Sequence, residues 1–143
     1  QYPTDLNGPK MAMLCEGARA KKVPSFVHQG ITRESSDISG AVKTFGDVVF
    51  IIAHTGCQCF DDVMELARTC DNVFVDTSSY IATRKKIQRI CDAAGAGKLI
   101  FGTDVPVMCK DPAEALEKIR TLRASDADKE KILGGNLRRI LKL

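Results

Sequence analysis

The run Val48-Val49-Phe50-Ile51-Ile52-Ala53 is apolar at every position, and no other feature of the chain constrains its fold as strongly. A strand with one wet face alternates apolar and polar residues, whereas a strand that never alternates must be covered on both faces. That is the condition of a parallel strand in an α/β protein. Similar runs predict strands over 23–28, 48–53, 73–76 and 98–102. Between them the apolar residues take up helical spacing. Met11, Met13, Leu14, Ala18 and Ala20 predict a helix over 10–22, and Asp37 to Phe45 gives a short one ended by Gly46. Val63, Met64, Leu66 and Ala67 define a helix over Asp61–Thr69, and Ile81, Ile87, Ile90 and Cys91 one over Tyr80–Ala94. Pro112 after Asp111 is a first-turn signature for a helix to about Leu122. Ser125 is placed to cap a further helix, interrupted at Gly134-Gly135, with Asn136 capping a last turn to Leu143. Residues 1–9 and 30–36 read as loops.

The order is a helix followed by four strand-helix units, which implies right-handed parallel crossovers. Such units build open doubly wound sheets or closed barrels of eight, and eight units need ~250 residues. With 143 residues in one domain spanning 1–143, the chain holds an open sheet or about half of a barrel. No Gly-x-Gly-x-x-Gly follows any strand, which removes dinucleotide and P-loop readings. The net charge of +3 is spread among interspersed acids and bases, and the basic clusters Lys21-Lys22, Arg84-Lys85-Lys86 and Arg138-Arg139 are short. Nucleic acid is therefore not an expected partner. No apolar run approaches the ~20 residues of a membrane span, and the start lacks a signal-peptide plan, so no membrane association is expected. Six cysteines lie in helices and loops without a disulfide framework, which fits reduced thiols and a cytoplasmic location. Gln1 is not an initiator Met and opens a loop, so the chain is expected to be truncated at its N-terminus.

The chemistry sits at the strand ends. The two histidines, His28 and His54, each close an apolar run, and Asp104 follows a third in Gly102-Thr103-Asp104-Val105-Pro106. Imidazole and carboxylate are donors for a divalent ion such as zinc, and residues far apart in sequence converge when successive parallel strands present them at one rim. A histidine after a strand is also commonly just a satisfied polar residue, and an Asp before Val-Pro a turn former. Cys57-x-Cys59 and Cys109 lie near these positions and read as structural thiols rather than ligands.

Taken in order, the segments Val23-Pro24-Ser25-Phe26-Val27-His28, Ile51-Ile52-Ala53-His54-Thr55-Gly56, Asn72-Val73-Phe74-Val75-Asp76-Thr77-Ser78, Leu99 to Pro106, and Ile132-Leu133-Gly134-Gly135-Asn136-Leu137-Arg138-Arg139 resemble one known group. They are similar to the C-terminal half of amidohydrolase-related proteins, the metal-dependent (β/α)8 hydrolases and decarboxylases of the aminocarboxymuconate-semialdehyde decarboxylase type. The likeness covers nearly the whole chain. Its most specific pieces are Asp104 in Gly-Thr-Asp-x-Pro, His54 in His-x-Gly and the terminal Gly-Gly-Asn-x-x-Arg. The resemblance implies the C-terminal half of a TIM-type (β/α)8 barrel binding a divalent metal, zinc foremost. It makes His28 a metal ligand from the fifth strand, and Asp104 a ligand or proton-transfer group from the eighth. His54, from the sixth, would position or deprotonate an attacking water or polarise the substrate. Thr77 and Ser78, from the seventh, would hydrogen-bond a small carboxylated, amide or lactone substrate.

One departure matters. The family's first-strand His-x-His pair has no counterpart here, and two remaining ligands do not complete a tetrahedral site. A missing N-terminal half-barrel or a second copy is the expected partner, as is assembly into a homo-oligomer. The alternative is a non-catalytic half-barrel serving as an interaction or structural subunit. The deoxyribonuclease branch of the same barrel is disfavoured, since Gly102-Thr103-Asp104 stands where a Glu-Thr-Asp element would be expected.

Overall fold

In a computed structural model describing residues 5–29 and 37–143, four parallel strands lie side by side in sequence order. They are β1 (Ser25–Val27), β2 (Phe50–Ile52), β3 (Val73–Asp76) and β4 (Leu99–Ile100). Helix α1 (Pro9–Lys21) precedes β1, α2 (Ser39–Thr44) precedes β2, and α3 (Phe60–Thr69) and α4 (Arg84–Ala94) cross back to the next strands. After β4 come α5 (Pro112–Arg120), α6 (Asp126–Glu130) and α7 (Asn136–Leu141). Among the described residues no helix is long and apolar enough to cross a membrane.

The register explains why β2 is apolar throughout. Phe50, Ile52, Val73, Val75 and Leu99 point into the main core with Val63, Ile87, Ile90 and Ile119 of the helices. Ile51, Phe74 and Ile100 point the other way and pack together with Leu137 and Ile140 of α7. Both faces of the central strands are therefore covered, as a parallel sheet demands. Phe26 pairs with Ile51 on this second face yet remains 63% exposed, so the inner face is open towards β1. An in-order parallel sheet whose crossover helices lie on one side, with α7 packed across its apolar inner face, is half of a TIM-type barrel.

Several predicted boundaries move. Strand β3 spans Val73–Asp76 as expected, whereas β1, β2 and β4 are two or three residues long and shorter at both ends than their apolar runs. Helix α4 begins at Arg84 rather than Tyr80. Ser79 and Tyr80 instead donate to the backbone oxygens of Thr103 and Met108, and Thr83 caps the helix by accepting from the Lys86 amide. Gly134-Gly135 does not interrupt the last helix, which runs through it as a single π turn over Lys131–Gly135. Asn136 does not cap either: its buried amide donates to the carbonyls of Ala96 and Leu99, tying α7 to the start of β4. The predicted loop at 30–36 lies outside the described residues, as do residues 1–4.

Candidate active site

The candidate residues collect at the C-terminal ends of the strands, and they arrive by two different routes. His28 continues the inward parity of Phe26 and Gly102 that of Ile100, while Asp104 is placed by a left-handed turn at φ 62°. His54 does not follow strand parity either. Ile51 faces inward, so plain alternation would send His54 to the helix side with Phe50 and Ile52. The chain instead enters a tight left-handed turn, with φ of 55° at His54, 55° at Thr55 and 79° at Gly56, and this turn returns the imidazole to the rim. Non-glycine residues in this region cost about 1–2 kcal/mol each, and the cost is carried by a buried segment that runs from Ala53 through Gly56.

Gly56 is where the turn needs glycine most. A Cβ there would sit 2.5 Å from Val63 Cγ2, so the turn can press against α3 only because the side chain is absent.

Asp76 holds the site together. Its Oδ2 accepts from the backbone N–H of His54 at 3.2 Å and from that of Ser78 at 3.2 Å. The same oxygen accepts a short hydrogen bond from the Ser78 hydroxyl. Ser78 Oγ in turn lies 2.8 Å from His54 Nδ1, and His54 Nε2 faces Asp104 Oδ2 across 3.9 Å. The His28 ring stands edge-on to that of His54, with centroids 5.0 Å apart and planes at 74°. His54, Asp76 and Ser78 are buried, whereas the Asp104 side chain is 23% exposed. The constellation is thus a buried polar chain whose outer end meets solvent at Asp104.

Gly102 makes the room. A Cβ there would lie 2.2 Å from Asp76 Oδ1 and 3.0 Å from Ser78 Cβ. Asp104 itself adopts φ 62°, at the head of a turn in which its carbonyl accepts from the Met108 amide at 3.0 Å.

The structure brings together His28, His54, Ser78 and Asp104, and it adds Asp76, to which sequence reasoning gave no role. The signal was present, since Asp76 closes the run Val73-Phe74-Val75 as His28 closes its own. Thr77 is not part of the chain of bonds. It shares the parity of Val73 and Val75, and its buried Oγ1 has no hydrogen-bond partner. All six cysteines are free thiols, and burial pushes the Cys57 thiol up against the opposing pull of Lys86, which does not favour a thiolate there.

A divalent cation suits these donors in kind but not in number. His28 offers an imidazole and Asp104 a carboxylate. Among the described residues, however, no group of three or more His, Cys, Asp or Glu side chains is placed to hold an ion, and catalytic zinc sites commonly use about three protein ligands. By themselves these donors do not make up a ligand set.

Fold and site together define a half-barrel of the TIM type with its polar residues at the C-terminal rim, where barrels of this kind do their chemistry. Residues 5–143 match the amidohydrolase family model Amidohydro_2, and the chain belongs to that family. No curated protein matches the sequence. Solved structures that resemble it include an uncharacterised TIM-barrel protein from Bordetella bronchiseptica, with a TM-score of 0.78 and 20% identity over 97% of this chain and 52% of the other. A dihydroxybenzoic acid decarboxylase from a Polaromonas species, solved with bound manganese and 2-nitroresorcinol, gives 0.73 and 16% over 96% and 55%. The 5-carboxyvanillate decarboxylase of Sphingomonas paucimobilis gives 0.71 and 15% over 100% and 56%. The chain therefore spans just over half the length of the solved proteins it resembles.

Proposed function

We propose that this chain supplies the C-terminal half of a metal-dependent amidohydrolase-family active site, acting on a small carboxylated, amide or lactone substrate by hydrolysis or decarboxylation. The observation that carries the reading is the buried hydrogen-bonded chain from Asp76 through Ser78 to His54, which ends opposite Asp104 at the barrel rim. Structural relatives that decarboxylate hydroxylated and carboxylated aromatic acids favour decarboxylation of such an acid. His28 and Asp104 would hold the ion, with the remaining ligands coming from an N-terminal half-barrel or a second copy of the chain. When bound, a divalent ion such as zinc or manganese would supply Lewis-acid activation of water or substrate.

The protein side of the chemistry falls to two groups. His54 gives or takes a proton at Nε2. Asp104, at the solvent-facing end of the hydrogen-bonded chain, orients the reacting group. Ser78 and Asp76 keep the imidazole from turning.

The test is turnover of carboxylated aromatic acids and of simple lactones by the assembled, metal-supplemented protein. His54→Ala and Asp104→Asn should each lower kcat by about 10²–10⁴. Activity retained in both variants would contradict the reading.

A further inference from the structure

The hydrogen bonds around Ser78 fix more than the position of His54. A serine hydroxyl carries a single proton, and here Asp76 Oδ2 receives it. That oxygen also accepts the backbone N–H groups of His54 and Ser78, so it acts throughout as an acceptor. Only lone pairs remain on Ser78 Oγ for the His54 ring, and the 2.8 Å contact to Nδ1 must then take its proton from the nitrogen.

We infer that Asp76 and Ser78 are positioning residues that hold neutral His54 in the Nδ1–H form and so present an Nε2 lone pair to Asp104. The geometry opposite agrees with this. Nε2 and Asp104 Oδ2 are 3.9 Å apart, beyond hydrogen-bonding distance of each other, and in this tautomer both are acceptors. The gap between them therefore takes a donor or a cation rather than an internal bond. The opposite tautomer would put a proton on Nε2, and that proton would fill such a gap. The Asp76 carboxylate binds the backbone of His54 as well as the serine that holds its ring, so one group sets both. Gly102 allows this, since any side chain there would displace Asp76.

The tautomer rests on these hydrogen bonds alone, whereas its use in proton transfer rests on the function proposed above. The two can fail separately. The chain holds only two histidines, so long-range ¹H–¹⁵N spectra of the chelator-treated, ¹⁵N-histidine-labelled protein contain two ring systems, and His28→Gln assigns them. In the neutral ring, His54 is expected to show a protonated Nδ1 and a bare Nε2. Ser78→Ala should abolish the protonated Nδ1 signal, and Ser78→Thr, which restores a hydroxyl, should keep it. A protonated Nε2 in the unaltered protein, or a Ser78→Ala spectrum unchanged at Nδ1, would overturn the inference. In the assembled enzyme Ser78→Ala should lower kcat with KM little changed, and Ser78→Thr should recover it. If the tautomer is found while His54→Ala leaves turnover intact, the positioning stands and the proposed function fails.

Discussion

At the residue scale, the site depends on what two glycines leave out. Gly102→Ala would force a methyl group to within 2.2 Å of Asp76 Oδ1, so the carboxylate must move and release Ser78. The overpacking should cost about 1–3 kcal/mol, read as a lower urea midpoint. Gly56→Ala meets both a close contact with Val63 and a positive φ, and its cost should reach about 2–4 kcal/mol. Thr77 should behave in the opposite way. Its hydroxyl is buried without a partner, so Thr77→Val is expected to leave Tm unchanged or raise it, because an unsatisfied buried polar atom costs about 1–3 kcal/mol. A clear fall in Tm would mean that the hydroxyl is bonded after all. These residues also mark the limit of what the sequence discloses about the site. His28 is legible because strand parity aims it inward, and Asp104 because it follows an apolar run in Gly102-Thr103-Asp104. His54 was legible as a residue but not in its route, since the left-handed turn through Thr55 has no signature beyond Gly56. Asp76 is hard to recognise because a carboxylate closing a strand looks like an ordinary turn former until its bonds to His54 and Ser78 are known.

At the scale of elements, the fold was legible because its strands are apolar on both faces and its helices on one. The four strands and their order follow from that contrast. What escaped were the element ends, where side chains compete for backbone groups. Asn72 is one case: it reads as a polar residue ahead of β3, yet its amide donates to the carbonyls of Val42, Phe45 and Val48 and so ties the α2–β2 connection to the sheet. Asn72→Ala should destabilise the chain by about 1–3 kcal/mol through the carbonyls it orphans. Denaturant titration reads this directly, and a loss below ~0.5 kcal/mol would mean that water replaces the amide. Asn136 performs the same service between α7 and β4, which is why a residue expected to cap a helix does not.

At the scale of the whole molecule, exposed carboxylates set the response to acid. The Ser39 backbone amide lowers Asp37, Arg19 lowers Asp47, Arg68 lowers Glu65, and Lys131 lowers Asp128. Each therefore binds protons less readily when folded than when unfolded. Their contribution is present above the unfolded values of about 4 and is lost as pH falls through the lower folded ones. Tm should accordingly hold steady from neutral pH to about 5 and decline below ~4, with little further change from any single exposed pair. A Tm that is flat down to strongly acid pH would refute this. The open inner face at Phe26 and the absence of a group of three metal donors among the described residues are what the proposed completion of the barrel by another segment or copy has to account for. The most direct test is the metal content of the assembled protein, measured by elemental analysis after dialysis. The account predicts about one divalent ion per completed barrel, lost in His28→Ala and in Asp104→Ala. Full metal content retained in both variants, or none in a preparation that turns over substrate, would contradict it.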